Sequence, residues 1–514
     1  MWWGLDEGIF DSAKRLIREH ETYVKSVLDE NARRTRRSTL SQVPLAVKRP
    51  QAWAVDPGFN PYLVRARRGA IAHAITASMR NRSYSPRPPA GFEVPKSSGG
   101  SRVVSTFQIA DEVVSNRLLR SLTRKNLPRI SARAYAYRPD LTPHDAIGYI
   151  KSEFAREHRV FVAEYDFSKF FDTVDHAYLL DTLDRVGIVR TPLEQFLIQR
   201  FLESPEPCLP SELEGLPRVR GIPQGTSVSL FLANVAAADL DRELERIGVG
   251  FVRYADDTLM WSADYGRICD AAAALHHVSD KIGSEINVEK SPGVSLLVKE
   301  RAQDAEIRTT KSIDYLGHTI GLRSTRMKAS TIERIKSKIE HLIFVNLLLE
   351  PLRKGQAATQ LTDVDRDYVT LIWQIRRYLY GPLSENDIRR FQHGSIPPMS
   401  FEGVMSFFPL IDDDAGLFAL DTWMASQIWL AMRKRERLLF AASLACPPPL
   451  GLSKEELIGF QSKSKRTGAS LDLRMPSFRK IAGVIRTAVS THGLGVVSGK
   501  APLYLYVNNG KSGK

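Results

Sequence analysis

The stretch FVRYADDTLMWS at residues 251–262 places two adjacent acids, Asp256 and Asp257, between two short apolar and aromatic runs. Such runs favour strands and Asp tolerates turns, so the stretch predicts a β-hairpin with acids at its bend. Successive side chains of a strand point to opposite faces, so only one of the two acids can face a given site squarely. A divalent metal bound here would need a second source of acid, and a solvent-exposed turn explains the stretch alone equally well.

A second source of acid lies upstream, in the run VFVAEYD at residues 160–166. The pattern predicts a central strand that ends at Asp166, then a loop and a helix from about Asp175 that closes at Gly187. Two strands that each offer an acid at one sheet edge can hold two Mg²⁺ ions about 3.5 to 4 Å apart, as in-line phosphoryl transfer requires. Asp172 and Asp175 are better explained as turn and N-cap residues.

The composition narrows the partners and the compartment. The 514 residues carry a formal net charge of +14, which indicates an acidic partner, most commonly nucleic acid. Three widely spaced cysteines exclude a disulfide framework and a cysteine-type zinc module. No segment reaches the roughly 18 apolar residues of a membrane span, and the start of the chain lacks a signal-peptide pattern. We therefore expect a cytoplasmic protein with no membrane partner.

The hydrophobic period changes along the chain. Strand-like and helix-like segments alternate between about residues 105 and 300, whereas helical spacing dominates beyond about residue 325. In TIERIKSKIEHLIF at 331–344, for example, Ile332, Ile335 and Ile339 share one helix face. The chain is therefore predicted to combine an α+β part with a mainly α-helical part.

Seven motifs follow one another in the order and approximate spacing of reverse transcriptases. They are EVPKSSGGSR (93–102), AYAYRPDLTPHDAI (134–147), YDFSKFFDTVDH (165–176), GIPQGTSVSLFLANVAAADLD (221–241), YADD (254–257), EINVEKS (285–291) and IDYLGHTI (313–320). Together they make the chain resemble a bacterial reverse transcriptase. The resemblance implies an α+β fold of the right-hand polymerase type, with fingers, an antiparallel palm sheet, and an α-helical thumb and C-terminal region.

Five parts of the chain are expected from this resemblance. They are a basic helical N-terminal extension (1–60), fingers (61–160, with parts of 187–220), a palm with the catalytic motifs (161–325), a helical thumb (326–400) and a helical C-terminal region with a flexible tail (401–514).

The resemblance also implies roles for individual residues. Asp166 and Asp256 would ligate two Mg²⁺ ions, with Mn²⁺ as an alternative, and Asp257 and the Phe167 backbone would support them. Phe171 would exclude a ribose 2′-OH and so favour dNTPs, although core packing is its ordinary role. The other implied roles are triphosphate binding (Lys96, Arg102), close approach of template and nucleotide (Gln224, Gly225), proton donation to pyrophosphate (Lys290, or else a surface lysine) and the primer grip (Tyr315, Leu316, Gly317).

The subgroup is inferred partly from motifs that are missing. The chain lacks the retron elements, and it has Ser229 and Leu230 where group II intron proteins usually have Ser-Pro. What remains resembles abortive-infection and other defence-associated reverse transcriptases. That similarity implies anti-phage defence, a noncoding RNA partner, a DNA product and a homo-oligomer. Some relatives prime DNA from a tyrosine, for which Tyr504 and Tyr506 are candidates, although strand packing is the commoner role.

Three other functions stay open at this level. The same fold serves RNA-dependent RNA polymerases, against which Phe171 argues, and terminal-transferase-like enzymes that synthesise DNA without a template. A group II intron-type maturase, or a former polymerase that only grips RNA, is the remaining alternative. Intact acids at 166, 256 and 257 argue against a pure binder, because clustered carboxylates repel phosphate without a metal.

Overall fold

The computed structural model describes residues 4–95, 101–207, 218–299, 307–394, 400–463, 468 and 470–497. The chain forms two compact units. The first consists of Met1–Thr22, Val47–Ala146 and Glu157–Thr310, and the second of Tyr23–Ala46, Ile147–Arg156 and Lys311–Lys514. The finer five-part division stays a prediction.

The first unit is built on a five-stranded sheet in the order β4-β5-β3-β6-β7. The strands up to residue 310 are β1 (Ala90–Pro95), β2 (Ser101–Thr106), β3 (Arg159–Asp166), β4 (Gly250–Tyr254), β5 (Asp257–Ser262), β6 (Gly293–Val298) and β7 (Thr309–Thr310). All neighbours in the sheet are antiparallel except β6 and β7. β1 and β2 form a separate antiparallel hairpin.

Helices cover this sheet and supply most of the core of the first unit. The helices that begin before residue 310 are α1 (Leu5–Arg37), α2 (Ala52–Val55), α3 (Pro61–Arg80), α4 (Ile109–Asn126), α5 (Pro143–Phe154), α6 (Phe170–Thr173), α7 (His176–Arg185), α8 (Pro192–Leu202), α9 (Ser227–Ala236), α10 (Ala238–Ile247) and α11 (Tyr265–Ile282). α4 packs on α9, and α10 packs on α11. α9 is apolar on nearly every side, as a helix in the centre of a core must be.

The helix predicted after Asp166 is present as α7. The Asp175 carboxylate accepts a hydrogen bond from the Tyr178 N–H, which confirms Asp175 as the N-cap. Gly187 follows the helix with a φ of +74°, as expected of a residue that ends a helix.

The second unit is mainly helical. Its helices beyond residue 310 are α12 (Ala329–Ile343), α13 (Leu349–Leu352), α14 (Arg366–Tyr380), α15 (Glu385–Gln392), α16 (Asp414–Ala441), α17 (Lys454–Ile458) and α18 (Phe478–His492). Its strands are β8 (Ile313–Tyr315), β9 (His318–Ile320), β10 (Thr325–Met327), β11 (Gln461–Lys463) and β12 (Ser470–Asp472). α12 buries Ile335 and Ile339 and partly buries Ile332, which confirms the predicted face.

A buried network of charges lies within this unit. Arg435 is fully buried and donates to both carboxylate oxygens of Asp365, at 2.7 and 3.2 Å, and to Asp367 at 3.0 Å. It also donates to the Leu347 carbonyl at 2.7 Å. Arg37 donates to the second oxygen of Asp367 at 2.6 Å. The two arginines therefore neutralise two carboxylates that water does not reach.

The prediction of an α+β fold with a palm sheet and a helical region after it is confirmed. Within the described ranges, no helix has the length and apolar character needed to cross a bilayer.

Candidate active site

Three carboxylates meet at one edge of the sheet in the first unit. Asp166 is the last residue of β3 and Asp257 the first of β5, and the two are direct partners in the antiparallel register. Asp256 lies in the two-residue turn between β4 and β5, because Tyr254 pairs with Asp257 across the hairpin. The predicted hairpin, with its acids at the bend, is therefore present, and Asp166 is the second source of acid that it required.

A fourth acid lies on the same face. Glu164 is two residues before Asp166 in β3, so both side chains leave the strand on one side. The negative charge of Glu164 acts on Asp257, whose pKa it helps to raise. Glu164 was not among the predicted site residues, although the alternation of VFVAEYD places it on the Asp166 face.

Burial and neighbouring charges raise the pKa values of Asp256 and Asp257. Burial, and then the charge of Asp166, raises the pKa of Asp256. Burial, followed by the charges of Glu164, Asp166 and Asp256, raises the pKa of Asp257 to about 7 from an ordinary 3.8. The site therefore carries more negative charge than its surroundings neutralise, and a cation placed there would lower the energy of the folded protein.

One cation of the chain is already at this edge. The Lys290 Nζ donates to Asp166 Oδ2 at 2.7 Å, and this bond raises the pKa of Lys290, so the side chain is protonated at neutral pH. The ammonium is itself well exposed. The structure thus places Lys290, predicted as a proton donor, in direct contact with a predicted metal ligand.

The segment around Lys290 also fixes the backbone of Asp166. The Asn287 N–H donates to the Asp166 carbonyl at 2.8 Å, and the Asp166 N–H donates to Ser291 Oγ at 3.2 Å. Phe167 pairs with Ile286 in an isolated antiparallel bridge. The motif EINVEKS therefore holds the end of β3 in place, a function that the sequence did not show.

The donor set fits hard divalent cations. Mg²⁺ takes oxygen ligands, needs few protein carboxylates and completes its shell with water and substrate phosphates. Among the described residues, no group of three or more His, Cys, Asp or Glu side chains is placed to hold a metal ion by itself. Asp166, Asp256 and Asp257 supply the carboxylate oxygens that Mg²⁺ prefers, and substrate phosphates would have to complete its shell.

Phe171 and Tyr137 form an aromatic pair in the first unit. Phe171, at the start of α6, is half-buried and packs edge-on against Tyr137, with ring centroids 6.4 Å apart and planes at 77°. Burial, and then the charge of Asp256, raises the pKa of Tyr137 to about 12. Tyr137 also has a φ of +64°, which is rare for a bulky residue. Tyr137 lies in the motif AYAYRPDLTPHDAI, but no role was predicted for it.

Gln224 and Gly225 contact protein groups in the structure. The Gln224 amide donates to the Asp172 carboxylate at 2.8 Å. Gly225 has a φ of +90°, and a β-carbon there would collide with the Ser105 backbone of β2. Glycine is thus required at position 225 for the close approach of two segments of the first unit. Contact of Gln224 and Gly225 with template or nucleotide stays a prediction.

Three predicted residues, and the side chain of a fourth, lie outside what the structure describes. Lys96, Tyr504 and Tyr506 fall outside the described ranges. The backbone of Arg102 pairs with Val94 in the β1–β2 hairpin, but its side chain is not described.

The predicted primer grip is a tight hairpin in the second unit. Tyr315 pairs with His318 across the β8–β9 turn, and the two turn residues, Leu316 and Gly317, have φ values of +45° and +78°. Positive φ at both positions is typical of the type I′ turn, which suits two-residue hairpins. The Leu316 carbonyl lies 2.9 Å from Nδ1 of His318.

A mainly antiparallel sheet with acids gathered at one edge, next to a hairpin turn, is the arrangement expected of the palm of a nucleotide-polymerising enzyme. The comparisons with known proteins agree. Residues 94–320 match the family model described as reverse transcriptase (RNA-dependent DNA polymerase). This part of the chain is therefore similar to a reverse transcriptase domain, the family that the motifs predict.

Individual relatives are distant. Protein YkfC of Escherichia coli K12 is 25% identical over 211 residues, which are 40% of this chain and 53% of that protein. The chain therefore spans about half the length of this curated relative. Among solved structures, telomerases of Candida albicans and Candida tropicalis with a TWJ fragment of telomeric RNA are similar, with TM-scores of 0.36 and 0.39 and identities of 11% and 10%. The match with the Candida albicans telomerase covers 75% of this chain and 67% of that chain. The match with the Candida tropicalis telomerase covers 72% of this chain and 63% of that chain. Because these scores are low, the assignment depends on the family match.

Proposed function

We propose that the chain is an RNA-directed DNA polymerase that builds cDNA from dNTPs by metal-assisted phosphoryl transfer. The observation that carries the proposal is the meeting of Asp166, Asp256 and Asp257 at one sheet edge, with the pKa values of Asp256 and Asp257 raised. Such a cluster is costly to an apo-protein and useful to an enzyme that binds cations with a phosphate-bearing substrate.

The residues at this edge would have different roles in the reaction. Asp166 and Asp256 would hold the ions, while Asp257 and the Phe167 backbone would support them. Two Mg²⁺ ions, or Mn²⁺, would when bound activate the primer hydroxyl and neutralise the triphosphate. Lys290 would supply a proton to the departing pyrophosphate, since its ammonium is charged, exposed and anchored beside Asp166.

The sugar of the incoming nucleotide would meet the Phe171 ring. Tyr137 packs edge-on against that ring, and the charge of Asp256 acts on the Tyr137 phenol. A rigid ring at this position leaves no room for a 2′-hydroxyl and so selects dNTPs. Lys96 and Arg102 would hold the triphosphate, with Gln224 and Gly225 bordering the template side.

The nucleic-acid partners are proposed on charge and resemblance. The net charge of +14 suits an RNA template and a DNA product. Tyr315, Leu316 and Gly317 would contact the primer. Resemblance to defence-associated enzymes supports a noncoding RNA partner, a homo-oligomer, a cytoplasmic location and a role against phage.

The Asp256→Ala, Asp257→Ala double variant tests the proposed activity. It should incorporate no dNTP on a primed RNA template and should bind the same RNA within about threefold of wild type, since its change lies at the metal site. Asp270→Ala, on the exposed face of α11, is the matched control and should behave as wild type. Retained synthesis, or an equal loss of RNA binding, would contradict the proposal.

The same assay separates the alternatives. DNA made equally well without template would indicate terminal-transferase-like synthesis, and RNA binding without synthesis by wild type would indicate a maturase-like binder. Priming from protein is tested by asking whether new DNA partitions with protein in phenol. Product that stays free of protein, with unchanged yield in Tyr504→Phe and Tyr506→Phe, would end the priming proposal.

A further inference from the structure

Arg253 is a buried charge three residues before Asp256. It lies in β4, one of the central strands of the sheet, and is only 1% exposed. Its guanidinium grips the Asp241 carboxylate of α10 with two parallel bonds, Nε to Oδ1 and Nη2 to Oδ2, each 2.7 Å long. This fork fixes the plane of the guanidinium as well as its position.

The remaining nitrogen points to the catalytic hairpin. Nη1 of Arg253 donates to the Ala255 carbonyl at 3.0 Å and to Asn234 Oδ1 of α9 at 3.2 Å. The Asn234 amide is itself oriented, because its Nδ2 donates to the Ala136 carbonyl at 3.0 Å. The turn before Asp256 is therefore tied through one guanidinium to two helices.

The turn needs such a restraint. Ala255 has a φ of +62°, a region that a residue with a β-carbon rarely adopts and that costs about 1 kcal/mol or more. The backbone of Arg253 is held as well, since its N–H donates to Arg133 and its carbonyl accepts from Tyr135, both at 2.9 Å. One end of the turn is thus fixed by backbone and side chain together.

Stability alone does not account for an ion pair at this place. Apolar residues of similar volume often serve a core as well or better than a buried Arg–Asp pair. The ion pair also links α10 through Arg253 to the Ala255 carbonyl, and so fixes the position of that carbonyl relative to α10. Two carboxylates that share metal ions with a substrate must be held to about 0.5 Å.

We propose that Arg253 is the positioning residue of the catalytic hairpin: anchored by Asp241 and Asn234, it fixes the Ala255 turn and thereby the place of the Asp256 carboxylate. The inference rests on the proposed function, because it takes Asp256 as a metal ligand. It assigns a supporting role to Arg253, Asp241 and Asn234, none of which was among the predicted site residues.

Arg253→Lys tests the proposal, because a lysine keeps the charge but cannot hold Asp241 and Ala255 in one plane. The matched control is Glu194→Gln, which weakens another buried ion pair of the first unit, with Lys125 at 2.7 Å. Both full-length variants are compared by thermal unfolding, by Mn²⁺ binding followed in the electron paramagnetic resonance spectrum without nucleic acid, and by kcat and KM for dNTP incorporation.

Arg253→Lys should unfold close to the control temperature yet bind Mn²⁺ about tenfold more weakly, as loss of an outer-shell partner does. Its kcat should fall about 30- to 100-fold, since a misplacement of about 1 Å costs that much. The KM for dNTP should change less than about threefold. Mn²⁺ affinity and kcat equal to those of Glu194→Gln, or a loss confined to KM, would overturn the proposal.

Two further variants complete the test. If Arg253→Lys does not fold, Asn234→Ala removes only an uncharged partner; it should weaken Mn²⁺ binding about threefold, and unchanged binding would overturn the proposal. Asp256→Ala with Asp257→Ala separates the two ideas. If that variant is inactive while Arg253→Lys matches the control, only the positioning role fails, whereas synthesis by that variant would refute the proposed function itself.

Discussion

Asp257→Asn should weaken the enzyme and strengthen the fold. The pKa of this carboxyl group is raised to about 7 from 3.8, so at pH 8 the ionised form costs the folded state about 4 kcal/mol relative to the unfolded chain. Asparagine removes the charge at nearly equal size. Because its amide must also lose water, we expect about half of that cost to be recovered, about 2 kcal/mol of added stability in EDTA.

The sign of the pH dependence follows from the raised pKa. The cost is small near pH 4, grows until the pH passes the folded-state pKa of about 7, and is constant above it. The stability advantage of Asp257→Asn over wild type should therefore be largest at about pH 8 and nearly absent at about pH 4. Added Mg²⁺ should stabilise wild type more than the variant and so reduce the difference, since only wild type keeps the full cluster of carboxylates.

Urea unfolding followed by circular dichroism measures this difference, with DNA synthesis assayed on the same samples. Asp270→Asn, on the exposed side of α11, is the control and should show neither effect. A variant no more stable than wild type in EDTA at about pH 8, or a gain that does not depend on pH, would refute the raised pKa that burial and the neighbouring carboxylates give Asp257.

Three further changes are predicted. Phe171→Ala should raise ribonucleotide relative to deoxyribonucleotide insertion about 10- to 100-fold in single-nucleotide assays, while Phe170→Leu, its buried neighbour, should not; an unchanged ratio would exclude Phe171 as the sugar-selecting residue. Lys290→Gln should lower kcat about 10- to 100-fold with RNA binding unchanged, and wild-type kcat in rapid-quench assays would exclude proton donation. Arg435→Met should cost about 3 to 5 kcal/mol in urea unfolding, because it leaves the fully buried Asp365 without its partner; a change below about 1 kcal/mol would contradict this.

The palm could be predicted because its determinants are local. The alternation in VFVAEYD and the apolar runs around YADD define three strands, and the order of the motifs supplies their arrangement. The pairing of Asp166 with Asp257 follows once these strands are neighbours. The helix after Asp166 was predictable for the same reason, since its N-cap and its terminating glycine are adjacent in sequence to the residues they serve.

The supports of the site could not be predicted, because they join distant segments. Arg253 of β4 donates to Asn234 of α9, 19 positions away, and no periodicity in RYADD shows that its arginine points inward. The charge of Asp256 acts on Tyr137 because the segment before α5 runs beside β4, where Ala134 pairs with Arg253.

The same limit applies in the second unit. Its buried network joins Arg37 to Asp367 and Arg435 to Asp365, pairs that are 330 and 70 positions apart. In sequence, each of these residues looks like an ordinary surface charge, and only the tertiary fold shows that water does not reach them.

The most direct test of the central claim is the sequence of the DNA that the purified protein makes. The protein is given a primed RNA template of mixed sequence, all four dNTPs and Mg²⁺, and the products are sequenced. RNA-directed synthesis by this palm predicts DNA complementary to the template from wild type and none from Asp256→Ala with Asp257→Ala. DNA unrelated to the template, or complementary DNA from the double variant, would contradict the account.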